Sequence, residues 1–166
     1  CDGLQLHLVW RSQPALTDWG HKGGRTCLIA LDERNLIRRF WRVDDQNVER
    51  GDLLLLEDGS PITANADEAA GQTGRANLVA HDWDGDGAID LVVGASRGLS
   101  FPASKTTYLP SSYHPDHRAS VLFLRNTGTN DNPSFAYARL MEFNGERIGL
   151  LIHTCSPAPV DLGRGV

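Results

Sequence analysis

Three segments of this chain open in the same way, and that repetition constrains its fold more than any other feature. PALTDWGHKGGRTCLIAL from Pro14 aligns with NLVAHDWDGDGAIDLVVG from Asn77 on the pairs Asp18-Trp19 and Asp82-Trp83. Gly23 then falls on Gly87, and CLIA on LVVG. Farther on, LIRRFWRVDD parallels SVLFLRNTGT and LLLLEDGSPI parallels ARLMEFNGERI, so that Gly59 meets Gly145 and Ile62 meets Ile148. A third start, PAPVDLGRGV, closes the sequence with Asp161 in the place of Asp82. Tandem units of this size are the mark of a repeat architecture.

Each unit reads as an aspartate-led loop followed by short β-strands. The first strand is expected at 26–31 and 89–94, where branched apolar residues run together. The second is expected at 36–43 and 120–126, and the third at about 52–57 and 135–142. The turns EDGS and FNGE then lead into a short return strand. No stretch carries helical periodicity. The expected fold is therefore all-β, with tandem four-stranded blades of a β-propeller. Residues 1–13 would end a preceding blade, 14–76 form a degenerate blade, 77–156 a full one, and 157–166 begin a third. Rings of this kind typically need four to eight blades, so the chain is expected to be part of a larger ring of about seven. Its start at Cys1 rather than Met fits a processed or partial product.

The second start holds the chemistry. In HDWDGDGAIDLVVG, residues 81–94, Asp82, Asp84, Asp86 and Asp90 stand at relative positions 1, 3, 5 and 9, with Gly85 and Gly87 between them. Oxygen donors at this spacing suit a hard cation. Calcium accepts six to eight oxygens in flexible geometry, whereas magnesium demands a strict octahedron and keeps its waters. Asp82, Asp84 and Asp86 would turn inward, with the Ala88 carbonyl and Asp90 completing the shell. An EF-hand begins similarly, but its twelfth position needs Glu where this chain has Val93, and a strand-like run replaces the following helix.

DWDGDGAIDLVVG closely resembles the FG-GAP/VCBS repeat, the calcium-loop blade also found in integrin α-subunit propellers. LFLRNTGTNDNPSFA is similar to the segment joining the second and third strands in bacterial members. The resemblance is strong over 77–150, weaker over 14–62, and only begins at 157–166. It implies calcium ligation by Asp82, Asp84, Asp86 and Asp90 with the Ala88 carbonyl. The other two starts depart from it: Gly20, Lys22 and Thr26 stand where Asp84, Asp86 and Asp90 would be, and Arg164 falls in the short third loop. One calcium ion is expected, the other loops being held by an internal Lys or Arg.

A net charge of −5 and the lack of a basic run speak against nucleic-acid binding. No apolar run is long enough to span a bilayer. Cys1, Cys27 and Cys155 are too scattered for a disulfide framework or a paired-cysteine zinc site. Arg50-Gly51-Asp52 spells an integrin-recognised tripeptide but falls at the edge of an expected strand, which favours chance occurrence. The tryptophans Trp10, Trp19, Trp41 and Trp83 suit packing between strands. The second unit also carries a long insert, 95–119, in which Tyr108, Tyr113, His114, His117 and Arg118 offer a candidate surface for a sugar or peptide.

These features lead to an expectation of a calcium-stabilised propeller segment. It would serve as a binding or scaffold module for a carbohydrate or protein ligand, outside the cytoplasm of a bacterium and completed by further blades. Two alternatives are part of a propeller-fold polysaccharide lyase, with the insert supplying the acid–base groups, and a subunit-docking module of a larger assembly.

Overall fold

A computed structural model describes residues 6, 12–19, 25–63, 76–95, 119–150 and 155–160. The described residues are all-β, without a helix. The insert residues Tyr108, Tyr113, His114, His117 and Arg118 lie outside them, as do Trp10, Lys22 and Arg164.

Two antiparallel sheets, one of four strands and one of five, organise the described residues. In the first, β1 (Ala15–Thr17), β2 (Cys27–Leu31), β3 (Ile37–Arg42) and β4 (Val48–Leu53) lie side by side in sequence order. After the two-residue β5 (Leu55–Leu56), the second sheet repeats that meander with β6 (Asn77–His81), β7 (Asp90–Ala95), β8 (Ala119–Leu124) and β10 (Arg139–Leu140). The short β9 (Ser134–Phe135) precedes β10. The hairpin of β11 (Glu142–Phe143) and β12 (Glu146–Arg147) follows it, and β13 (Gly149–Leu150) returns to pair with Ala119 and Ser120 of β8.

Burial explains why the central strands are continuous apolar runs. Alternate residues of a strand face opposite sides of the sheet. In the second sheet, Leu91, Val93, Leu122 and Leu124 enter one core, while Val92, Ala119 and Val121 form another on the opposite face with Cys155 from beyond the sheet. A sheet covered on both faces leaves no polar alternation. The first core is shared between the sheets: Cys27, Ile29, Leu31, Ile37 and Trp41 of the first pack with Leu78, Leu91 and Leu122 of the second. The Trp19 and Phe135 rings meet edge to face at 5.9 Å across this boundary.

Backbone pairing ties the sheets at two places. Gln13 bridges Asn77 in parallel, with Leu78 N–H donating to the Gln13 carbonyl at 2.9 Å. β5 runs parallel to β9, with Glu57 N–H donating to the Phe135 carbonyl at 2.8 Å.

The expected first and second strands coincide with β2, β3, β7 and β8 to within two residues. The third is displaced in the first sheet, where β4 covers 48–53 rather than 52–57. None of its VERGDL residues is buried because the strand is paired only with β3, and charged side chains suit such an edge. The apolar run LLLL that suggested the later position is divided: Leu53 ends β4, Leu54 donates its N–H to the Ile37 carbonyl, and Leu55 begins β5. In the second sheet the expected third strand is broken into β9 and β10. The FNGE turn forms as expected, with Asn144 (φ 53°) and Gly145 (φ 78°) joining β11 to β12. Positive φ at both central residues is what a tight two-residue hairpin requires.

Candidate metal centre

The aspartate loop is the connection between β6 and β7, closed at its base by the pairing of His81 with Asp90. The loop is built on its own carboxylates. Asp82 Oδ1 accepts from Gly85 N–H at 2.9 Å, and its Oδ2 accepts from Gly87 N–H at 3.0 Å. Asp84 Oδ1 accepts from Asp86 N–H at 3.3 Å, and Asp86 Oδ1 from Ala88 N–H at 2.9 Å. Short acidic side chains readily bond backbone two residues on, and this drives the tight turn. Gly85 and Gly87 take φ of 75° and 89°, in the left-handed region that a side chain resists.

The outcome is convergence. One oxygen each from Asp82, Asp84 and Asp86 lies within 4.8 Å of the others, and this group can hold a metal ion. Among the described residues no other trio of His, Cys, Asp or Glu comes together this way. The donor set is all carboxylate, without thiol or imidazole, which suits a hard cation.

Asp90 stands apart from that trio. It is fully buried, with Oδ2 accepting from Trp83 N–H at 3.0 Å and Oδ1 from Asn126 N–H at 2.7 Å. Burial pushes its carboxyl above the ordinary range, and the negative Asp84 and Asp86 add to the rise against those two hydrogen bonds. Asp90 thereby fastens both the entry of the loop and the end of β8. Ala88 joins the loop through its N–H, which donates to Asp86. Trp83 remains 46% exposed beside the carboxylates, whereas its aligned counterpart Trp19 is buried.

Three residues missed by the sequence reading hold the loop from β8 and the turn beyond it. Asn130 accepts from Ile89 N–H at 2.7 Å and donates through Nδ2 to the Gly87 carbonyl at 2.9 Å. Asn126 organises its own turn by accepting from Gly128 and Ser134 N–H. Arg125 reaches the carboxylates themselves, with Nε 2.7 Å from Asp84 Oδ2 and Nη2 2.9 Å from Asp86 Oδ2. The Asp86 carboxyl sits below its ordinary value, first because of Ala88 N–H and next because of Arg125. The only hint of these partners was the polar run RNTGTND after an apolar strand.

By sequence, the aligned loop of the first sheet keeps only Asp18 of the four aspartates. There Thr26 Oγ1 donates to Asp18 Oδ1 at 3.5 Å, so a hydroxyl stands where Asp90 does in the second. Arg50-Gly51-Asp52 is absorbed into β4: Arg50 pairs with Asp32 and Glu33, and Asp52 pairs with Arg39. Gly51 lies so close to the Trp41 indole that an added Cβ would approach Nε1 to 2.8 Å. Comparison of the chain with protein-family models, with curated proteins and with solved structures gave no match.

Proposed function

We propose that this chain is a stretch of β-propeller whose second blade is clamped by calcium, acting as a binding or scaffold module outside the cytosol. The observation that carries this reading is the convergence of Asp82, Asp84 and Asp86 in a loop wound on its own carboxylates. Three carboxylates so close repel one another, and Arg125 offsets part of that repulsion at Asp84 and Asp86. Gly85 and Gly87 supply the left-handed backbone that the tight turn of the loop uses. Asp90 and the Ala88 carbonyl remain the further ligands of this proposal, with Asp90 fixed at the loop's base.

The blade reading is supported by two meanders of the same strand order that pack on a common core. Repetition of such sheets around an axis makes a propeller, and the remaining blades of a ring of about seven would lie in further chain. Calcium sites of extracellular modules work where free calcium is high, which favours a place outside the cytosol. A carbohydrate or protein ligand is the partner class in this reading.

The test is calcium titration by calorimetry on the chain and on its Asp84→Ala, Asp86→Ala double variant. One site is expected in the parent and none in the variant, with calcium raising the melting temperature of the parent alone. Folded parent protein that takes up no calcium would overturn the assignment.

A further inference from the structure

We infer that Arg125 is a built-in counter-ion of the aspartate loop, holding it together without metal and competing with the divalent cation for the same oxygens. The inference rests on the calcium reading above and deepens it into a form of regulation. Within each carboxylate the division of labour is explicit. Asp84 and Asp86 both turn Oδ1 to a backbone N–H of the loop and leave Oδ2 away from it. Arg125 takes both Oδ2 atoms, one through Nε and the other through Nη2. A planar guanidinium is well shaped to span two acceptors in this way.

The arginine is anchored at its backbone, and its paired tip lies at the surface. Its neighbour Asn126 donates its N–H to buried Asp90, so the Arg125 Cα is fixed relative to the loop. The side chain is 51% exposed, which leaves room for the head group to swing into solvent. A cation approaching the trio meets a positive charge already seated on two of its carboxylates. Repulsion between a divalent ion and a guanidinium a few ångströms apart in a water-like dielectric weakens binding on the order of tenfold. Removal of the positive charge relieves this competition but leaves the metal-free loop with unbalanced carboxylates.

Calorimetric calcium titration of the chain, Arg125→Gln and Arg125→Lys tests the inference, with melting curves in a chelator and in saturating calcium. Arg125→Gln is expected to bind calcium about tenfold more tightly. It is also expected to melt lower than the parent in chelator and to recover most of that difference in calcium. Arg125→Lys keeps the charge without the fork, and should fall between the parent and Arg125→Gln in affinity. If the parent binds calcium but Arg125→Gln binds equally or more weakly, the competition is overturned and the calcium reading stands. Should Arg125→Gln not fold, Arg125→Lys decides in the same way: tighter calcium binding supports competition, and equal or weaker binding overturns it. Folded proteins that all fail to bind calcium would overturn both readings together.

Discussion

Cys27 opens β2 without exposed surface, directly across from Trp41 on β3. Burial penalises the thiolate and pushes the thiol from an ordinary 9.0 up to about 11, against the opposing pull of Arg39 and the Phe40 N–H. At pH 8 a rise of that size lowers the reactive thiolate about a hundredfold, and lack of access slows attack further. Peptide-resolved alkylation with iodoacetamide should therefore leave Cys27 unmodified in native protein and modify it fully in urea; rapid native labelling would contradict its burial. The same shift has a sign for stability. The folded state retains the proton where the unfolded chain releases it, so Cys27 contributes fully below pH 9 and its contribution fades as pH rises towards 11. Among the loop residues, Asp82, Asp84 and Asp86 were legible in the sequence because their turn is built from bonds between near neighbours. Arg125, Asn126 and Asn130 were not, since the pairing of β7 with β8 brings them to the loop from 36 or more residues away.

At the scale of elements, legibility followed burial. β2, β3, β7 and β8 sit inside their sheets and announce themselves as apolar runs. β4 is a charged edge, and β1 is only three residues long, too short to show a period. Strand β7 also holds a constraint that no pattern reveals. Residues 155–157 pass directly over Gly94: a Cβ there would overlap the Cys155 carbonyl and come within 2.7 Å of Pro157 Cδ. That crossing is held by Asn77 Nδ2, which donates to the Cys155 carbonyl at 2.6 Å, and by Cys155 Sγ, which donates to the Ser120 carbonyl at 2.9 Å. Backbone cannot retreat as a flexible side chain can, so Gly94→Ala should cost about 3 kcal/mol or more. Gly87→Ala meets nothing in space and suffers only its left-handed φ, a loss of about 1–2 kcal/mol. Urea denaturation of the two variants compares them directly. A Gly94→Ala loss no larger than that of Gly87→Ala would mean that the 155–157 crossing is loosely held.

The whole molecule turns on the boundary between its sheets. Trp19 follows β1 and Phe135 lies in β9, yet their rings meet edge to face, and both side chains are buried in a core that residues of both sheets share. Arg39 strengthens that boundary on the first sheet's side, its guanidinium lying 5.8 Å from the Trp19 ring centre and 5.3 Å from that of Trp41. If the sheets were independent, each would expose a wide apolar face on separation. Because they share that face, they are expected to unfold as one unit. Trp19→Ala removes one of the two buried tryptophans of that core and should cost about 3–5 kcal/mol. The loss should appear equally in both sheets, although Trp19 belongs to neither β7 nor β8. Hydrogen exchange in mild denaturant, followed by mass spectrometry, reads this out peptide by peptide. Peptides spanning β2–β3 and β7–β8 should open with the same free energy in the parent and fall together in Trp19→Ala. Protection that persists in β7–β8 while β2–β3 exchanges would show two separable units, and the shared core would then be contact without cooperativity.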